Sequence, residues 1–378
     1  MGSESVIVID GQEFFFSPDE TILQVAQRNG FDIPTLCYLK GASPTGACRI
    51  CVVEVEGSQS LVASCATPAA PGMVVKTETP RVINSRRTNL EVLLASGQHN
   101  CLPEDLSMDF RADFQLKSMT AKEHEDLCPA YGECRLQDLA VQYQVKTNHF
   151  APAEVSYPIE DVNPFIVRDF SRCILCGRCV QACKEVQVNN AISFDYRGSK
   201  SKIVTEGDRP LKDSICVFCG ECVQACPVGA LIPKEDLLLE RFSNETRKIR
   251  TTCSYCGVGC QLYLHVRNNK VVKVTGVEDV GPNFGSLCAK GRFGYDFIND
   301  PERLKTPLIK ENGKFKEASW DEALNLIAEK LTRIKEESGP DSIMVLSSAR
   351  ITNEENYLAQ KFTRAVIGTN NIDHCARL

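Results

Sequence analysis

Apolar and polar residues follow two different periods along this chain, and the period changes several times. Val6 to Ile9 and Glu13 to Phe16, joined at Asp10-Gly11, predict a hairpin. Ser17-Pro18-Asp19-Glu20 then opens a predicted helix carrying Ile22, Leu23, Val25 and Ala26, closed by Gly30. Residues 81–97 place Ile83, Leu90, Leu93 and Leu94 on one helical face, with Gly97 as the stop. Residues 150–168 contain Pro152, Pro158 and Pro164 and predict an extended connector. Near the end, Ser319-Trp320-Asp321-Glu322 is a capping box for a helix bearing Ala323, Leu324, Ile327, Ala328, Leu331 and Ile334, ended by Gly339-Pro340. Ile343 to Leu346 predicts a buried strand. Asn353 predicts the cap of a helix with Tyr357, Leu358, Phe362, Ala365 and Val366 inward, stopped at Gly368. Helix, strand, helix is the beginning of an α/β domain.

Between the periodic stretches lie cysteines, 20 in 378 residues. All but Cys375 fall into sets with cluster-ligand spacing. Chains of this length without a secretory signal do not form disulfide scaffolds, so the CxxC spacing points to metal. Small metal-bound domains need less hydrophobic core, so five units fit this length. Net charge is −6 and no Lys/Arg block is long enough for a nucleic-acid footprint. No run reaches the ~18–20 apolar residues of a membrane span. The N-terminus lacks a basic, then apolar, signal segment. The expectation is a cytoplasmic protein with no membrane span and no nucleic-acid partner.

The first set is Cys37, Cys48, Cys51 and Cys65, spaced C-x10-C-x2-C-x13-C. The close pair grips one iron from a tight loop and the distant cysteines take the other. Gly46 permits close backbone approach, so amides can reach the sulfurs. Plant-type ferredoxins have x4 in the first gap. This pattern resembles the [2Fe–2S] β-grasp domain of complex I iron–sulfur subunits and related hydrogenases. Next come His99 and Cys101, then Cys128 and Cys134. The resemblance to the same families implies one [4Fe–4S] cluster on a His and three Cys. The family form is H-x-C-x2-C-x5-C, so residues 102–127 read as an insertion. His124 stands four positions before Cys128 and is the alternative ligand; His99, behind the Gly97 helix stop, is favoured.

Cys173, Cys176, Cys179 and Cys183 form C-x2-C-x2-C-x3-C, and Cys216, Cys219, Cys222 and Cys226 repeat it: CILCGRCVQAC against CVFCGECVQAC. This is the pattern of bacterial two-cluster ferredoxins, in which the fourth cysteine of each run serves the other cluster. The first run lacks the terminal proline and has Lys184 instead. Zinc knuckles are the competing use of CxxC pairs. After a charged linker, SNETRKIR, the fifth set is Cys253, Cys256, Cys260 and Cys288, spaced C-x2-C-x3-C-x27-C. It resembles the N-terminal [4Fe–4S] domain of molybdopterin oxidoreductases. That resemblance gives Lys290 a place between cluster and pterin, where a cation stabilises added electron density.

The segment VIGTNNIDHCARL is similar to the stretch of formate dehydrogenase catalytic subunits that runs into the metal-binding selenocysteine or cysteine. The resemblance covers nearly the whole chain. It implies an α+β multidomain protein: a β-grasp [2Fe–2S] ferredoxin domain (1–80), a His/Cys3 [4Fe–4S] domain (81–149), a bacterial 2[4Fe–4S] ferredoxin domain (150–245), a molybdopterin-oxidoreductase [4Fe–4S] domain (246–303) and the truncated start of a molybdopterin-binding α/β domain (304–378). It implies one [2Fe–2S] and four [4Fe–4S] clusters. The full-length protein would add molybdenum or tungsten on two pterin guanine dinucleotides. Formate is the implied substrate. Flavin-bearing NAD(P)-reducing, ferredoxin or hydrogenase subunits are the implied partners. The family register puts the metal ligand beyond Leu378, so no catalytic residue is expected here. The chain is expected to end at a recoded selenocysteine codon and, as it stands, to transfer electrons without oxidising formate. Cys375 is expected to be a buried small thiol. Three relatives share the front clusters. The complex I large iron–sulfur subunit lacks the ferredoxin pair in this form and the DHCARL segment. Iron-only hydrogenases lack the fifth set. Diaphorase-type carrier subunits stop before residue 253. Nitrate reductases share the fifth-set spacing.

Overall fold

The computed structural model describes residues 5–99, 128, 130, 133–145, 149–151, 156–234 and 246–376. The chain forms two compact units, Met1–Asn244 and Glu245–Leu378.

The first unit begins with the predicted hairpin, β1 (Val6–Ile9) and β2 (Gln12–Phe15). Ile7 and Ile9 alternate inward and are fully buried. Helix α1 (Ile22–Arg28) lays Ile22, Leu23, Val25 and Ala26 on that face. It opens at Thr21, later than expected. Ser17 to Glu20 instead close a turn, with the Glu20 carboxylate accepting from the Ser17 amide at 2.7 Å. Thr21 and Gln24 then form the capping box. β3 (Val52–Val55), β4 (Val62–Ala63) and β5 (Val74–Lys76) complete a five-stranded sheet in the order β2-β1-β5-β3-β4. Only the β1–β5 pairing is parallel, with Val8 opposite Val74.

Helix α2 (Pro80–Ala95) is capped by Thr79, and Leu90 and Leu94 face inward as expected. Gly97 has a tighter reason to be glycine than helix termination, because a Cβ there would lie 2.4 Å from the Ser171 carbonyl oxygen. Helix α3 (Arg135–Gln142) starts on Cys134. A single apolar core gathers Leu36, Ile50, Leu90, Leu94, Leu136 and Leu139 around Cys37, Cys48, Cys128 and Cys134, and Cys173, Cys176 and Cys226 pack against it. The insertion at 102–127 lies outside the described residues.

The ferredoxin-like part has β6 (Ile166–Arg168), helix α4 (Arg178–Gln181), the hairpin β7 (Ser193–Asp195) and β8 (Lys202–Val204), helix α5 (Glu221–Ala225) and β9 (Leu231–Pro233). β6 pairs antiparallel with β9, so the strands before the first run and after the second close on each other.

The second unit opens with an antiparallel meander, β10 (Arg247–Thr252), β11 (Gln261–Arg267) and β12 (Lys270–Gly276). The second half of the expected charged linker is thus strand. Gly276 admits no side chain, since a Cβ would lie 1.8 Å from the Gly285 carbonyl oxygen. Gly276→Ala is expected to destabilise this unit by about 1–3 kcal/mol through overpacking. A lowered melting temperature, with protease cleavage first appearing after residue 246, is the check.

Short helices α6 (Ala289–Phe293) and α7 (Asp296–Asn299) follow, then the hairpin β13 (Leu308–Glu311) and β14 (Lys314–Glu317). Helix α8 (Trp320–Ser338) carries the expected capping box, with Glu322 closing on Ser319. β15 (Val345–Ser347) pairs parallel with β16 (Ile372–His374), flanking helix α9 (Asn353–Lys361) and its continuing π turn, 362–367. Three expectations fail here. Thr352, not Asn353, caps α9. Tyr357, Leu358, Phe362, Ala365 and Val366 are exposed, and Thr363 and Ile367 are the residues turned in. The strand expected to be buried exposes Leu346. Among the described residues the sheet has two strands, too few to cover these faces. No described helix is long and apolar enough to cross a membrane.

Candidate iron–sulfur centres

Cys37, Cys48, Cys51 and Cys65 are all buried, the first two in the core shared with helices α2 and α3 and the last two in the core under the sheet. Gly46, in the left-handed region at φ 61°, turns the chain so that the Cys48 amide points at the Cys37 sulfur, 3.5 Å away. The four thiols are free and lie near enough to influence one another's acidity. Cys37 is held well below the usual thiol range by hydrogen bonds from the Cys48 and Cys65 thiols, against burial. The Cys65 bond draws Cys51 down to about 7. Cys48 and Cys65, as donors, are pushed up.

The next set is partly described. Cys128 and Cys134 are buried in the shared core. Burial pushes Cys134 up to about 12. His99 sits beyond Gly97, whose amide neighbour Gln98 donates to the Ser171 carbonyl at 2.8 Å. The His99 Nε2 atom is buried and has no hydrogen-bond partner among the described residues. Burial, then the Arg172 cation, lowers the imidazole to about 4 and keeps it neutral. Neutral imidazole is the form that binds metal. Cys101 and His124 lie outside the described residues.

The ferredoxin runs repeat in geometry as in sequence. Leu175 and Phe218, at φ 51° and 52°, turn their amides back to the first sulfur of each run, each at 3.4 Å from Cys173 and Cys216. Gly177 and Gly220, both left-handed, start helices α4 and α5. Cys173, Cys176, Cys179 and Cys226 line one apolar cavity, together with Cys222. Cys216 and Cys222 both feel Cys183. Burial raises Cys173 to about 11 and Cys176 to about 12. Cys226 is raised by burial too, opposed by backbone hydrogen bonds at Val228, Leu231 and Ala230. The Ala191 amide donates to the Cys183 sulfur at 3.2 Å.

In the second unit, the Cys253 amide donates to the Cys260 carbonyl at 2.8 Å, closing the loop that holds Cys256 between them. Burial raises Cys253 and Cys260, with neighbouring thiols adding to it. Cys288 caps α6 and is exposed. Lys290, on the first turn of α6, is exposed. Cys375 is exposed rather than buried, with the Ser348 hydroxyl 4.0 Å from its sulfur. It sits just after edge strand β16, where nothing described covers it.

Among the described residues no three His, Cys, Asp or Glu close around a point where a single ion would sit. The donor chemistry fits iron–sulfur clusters on four observations: converging buried thiols, amides aimed at sulfur, a cysteine-lined cavity and an orphaned imidazole nitrogen. One positioning residue has no helical-pattern signal in the sequence. Arg86, fully buried on α2, donates to the Val52 and Thr77 carbonyls at 3.0 Å each and to the Tyr143 hydroxyl at 2.8 Å. It ties the strand after Cys51 to the helix that starts at Cys134.

Family models match in four stretches: a 2Fe-2S iron-sulfur cluster binding domain over 5–80, a 4Fe-4S dicluster domain over 172–230, the molybdopterin oxidoreductase Fe4S4 domain over 246–300 and molybdopterin oxidoreductase over 303–378. "Probable oxidoreductase YjgC" of Bacillus subtilis is 32% identical over 100% of this chain and 40% of its own length. "Putative formate dehydrogenase YrhE" of the same organism is 34% identical over 98% of the chain and 39% of its own length. The chain thus spans about two-fifths of the curated relatives it matches. Among solved structures, an NAD+-reducing [NiFe]-hydrogenase in the H2-reduced state matches with a TM-score of 0.51 and 31% identity, covering 61% of this chain and 88% of that one. With cysteine sets inside three of the four matched stretches and the molybdopterin stretch following them, the chain belongs to the molybdopterin oxidoreductases, as a member with several iron–sulfur domains.

Proposed function

We propose that the chain is the electron-conducting part of a formate dehydrogenase catalytic subunit. The observation that carries this is the alignment of 98% of the chain with a relative named for formate dehydrogenase, running through cluster domains into a molybdopterin stretch. The ligand sets we assign are Cys37, Cys48, Cys51 and Cys65 for [2Fe–2S]; His99, Cys101, Cys128 and Cys134; Cys173, Cys176, Cys179 and Cys226; Cys216, Cys219, Cys222 and Cys183; and Cys253, Cys256, Cys260 and Cys288, each for [4Fe–4S]. Lys290 is assigned to the path between the last set and the pterin.

Bound clusters supply one-electron storage at each station. The residues do the rest. Thiols raised by burial lose their protons when iron binds. The amides of Cys48, Leu175, Phe218 and Ala191 stabilise sulfur charge and so tune potential. The shared apolar core around Cys37, Cys128, Cys134 and Cys173 keeps water out of the region between nests. Arg86 holds two nests in register. NAD(P)-reducing, ferredoxin or hydrogenase subunits are the partners this reading requires, and the likeness to an NAD+-reducing hydrogenase supports that class. The likeness also favours a second reading, a carrier subunit of such a hydrogenase. The Fe4S4 match over 246–300 argues for the first.

Anaerobic reconstitution with iron and sulfide is expected to give about 18 iron atoms per chain, from one two-iron and four four-iron sets. Reduction should then give electron paramagnetic resonance signals of both cluster types. A colourless, silent protein would overturn the assignment. In the full-length subunit, formate should reduce these clusters; reduction by hydrogen alone would favour the second reading.

A further inference from the structure

The first ferredoxin-like run and the first cysteine gap each depart from ferredoxin pattern, and the structure joins the two departures. The gap between Cys37 and Cys48 has x10 where plant-type ferredoxins have x4. The first run has Lys184-Glu185 where the second has Pro227-Val228. In the second run the chain leaves the helix at Cys226, which is extended at ψ 121°, as a residue before proline must be. In the first run no proline intervenes. The helix continues through a π turn, 182–186, closed by the Gln187 amide donating to the Ala182 carbonyl at 2.9 Å. That extra turn brings Glu185 beside Gln181. Both side chains then reach the same residue of the long loop. The Glu185 carboxylate accepts from the Ser43 amide at 2.7 Å, and the Gln181 side-chain amide donates to the Ser43 carbonyl. Both backbone polar groups of Ser43 are thereby satisfied from a helix 138 or more residues away in sequence.

We propose that Gln181 and Glu185 are positioning residues for the [2Fe–2S] nest rather than for the [4Fe–4S] clusters whose cysteines they stand among. This rests on the ligand assignment above for the four cysteines of that nest. The physical reason is the length of the gap. Ten residues between two ligands of one cluster lose more conformational entropy on ordering than four do. A loop pinned at its midpoint on both hydrogen-bonding groups holds Cys37 and Cys48 in place, and it keeps water off their sulfurs. The replacement of proline by Lys184 is what makes the pin reachable.

Three variants of the full chain test this. Glu185→Ala is expected to speed amide exchange in the peptide covering 38–47 and the release of [2Fe–2S] iron to a chelator, each about tenfold, the loss of one charge-assisted hydrogen bond. Glu185→Gln keeps an acceptor oxygen and is expected to restore most of the protection. Lys184→Pro, which rebuilds the second-run pattern, is expected to reproduce Glu185→Ala. The [4Fe–4S] signals should persist in all three. Unchanged exchange at 38–47 in both Glu185→Ala and Lys184→Pro would overturn the proposal. So would loss of [4Fe–4S] and [2Fe–2S] signals in step. Exchange is read on the protein with or without iron. A faulty ligand assignment would therefore show as faster exchange with no change in [2Fe–2S] release, which separates the two failures.

Discussion

Cys226→Ala is expected to cost the protein about four iron atoms, and the cluster lost should be the one on Cys173, Cys176 and Cys179 rather than the one on its own run. The geometry behind this is the cavity that Cys226 lines with Cys173, Cys176 and Cys179, and with Cys222. Cys226 perturbs Cys173 and Cys176 and also Cys222, while Cys183 perturbs Cys216 and Cys222, so each fourth cysteine lies near the other run's thiols. A single variant cannot say which cluster left, but pairs can. Cys173→Ala combined with Cys226→Ala should lose no more iron than either alone. Cys216→Ala combined with Cys226→Ala should lose about eight, two clusters of four. Iron analysis with Mössbauer spectra of the reconstituted chain reads both. If the pairs behave the other way round, each run binds its own cluster and the crossed assignment fails. The consequence for electron flow is direct. Crossed ligation would make the two runs share both clusters and tie the two stations into one body.

What made these centres legible in the sequence is that cluster ligation is mostly local. A C-x2-C loop needs a left-handed residue and a nearby amide, and both runs show them at Leu175 and Phe218. The hairpin at Asp10-Gly11 and the Ser319–Glu322 capping box are local in the same way. Local signals misled where two stood close together. Ser17 and Thr21 both look like caps, and Pro18 and Glu20 commit the first to a turn. Thr352 and Asn353 compete likewise. Thr352 takes the Glu355 amide, and the Asn353 side chain donates to the Gly257 carbonyl at 2.6 Å, beside Cys256. The apolar face of α9 was readable as a face, but not what lies against it. Burial is set by partners remote in sequence. For the same reason neither Arg86 nor Glu185 stands out from its neighbours as a string of letters: Arg86 reaches Val52 and Tyr143, 34 and 57 positions away, and Glu185 reaches Ser43, 142 positions away.

The second large effect falls on His99. His99→Ala is expected to abolish one four-iron cluster, while His124→Ala should leave iron content and spectra unchanged. The choice rests on an unsatisfied atom. Nε2 is buried with no partner among the described residues; such a group costs about 1–3 kcal/mol, and native proteins keep few without a use. Burial and the Arg172 cation hold the ring neutral down to about pH 4, and in the Nδ1–H tautomer this leaves the Nε2 lone pair available. A purely structural histidine in this place is expected to carry a hydrogen-bond partner. His99→Cys separates ligation from packing. It should retain the cluster but add one thiolate charge, lowering its midpoint potential by something on the order of 100 mV. Redox titration followed by electron paramagnetic resonance measures this. A cluster unmoved in potential by His99→Cys, or one lost in His124→Ala, would hand the ligand's place to His124. The direction of the shift carries the functional point. If His99 is the ligand, its neutral charge is expected to make this station easier to reduce than a cluster held by four cysteines.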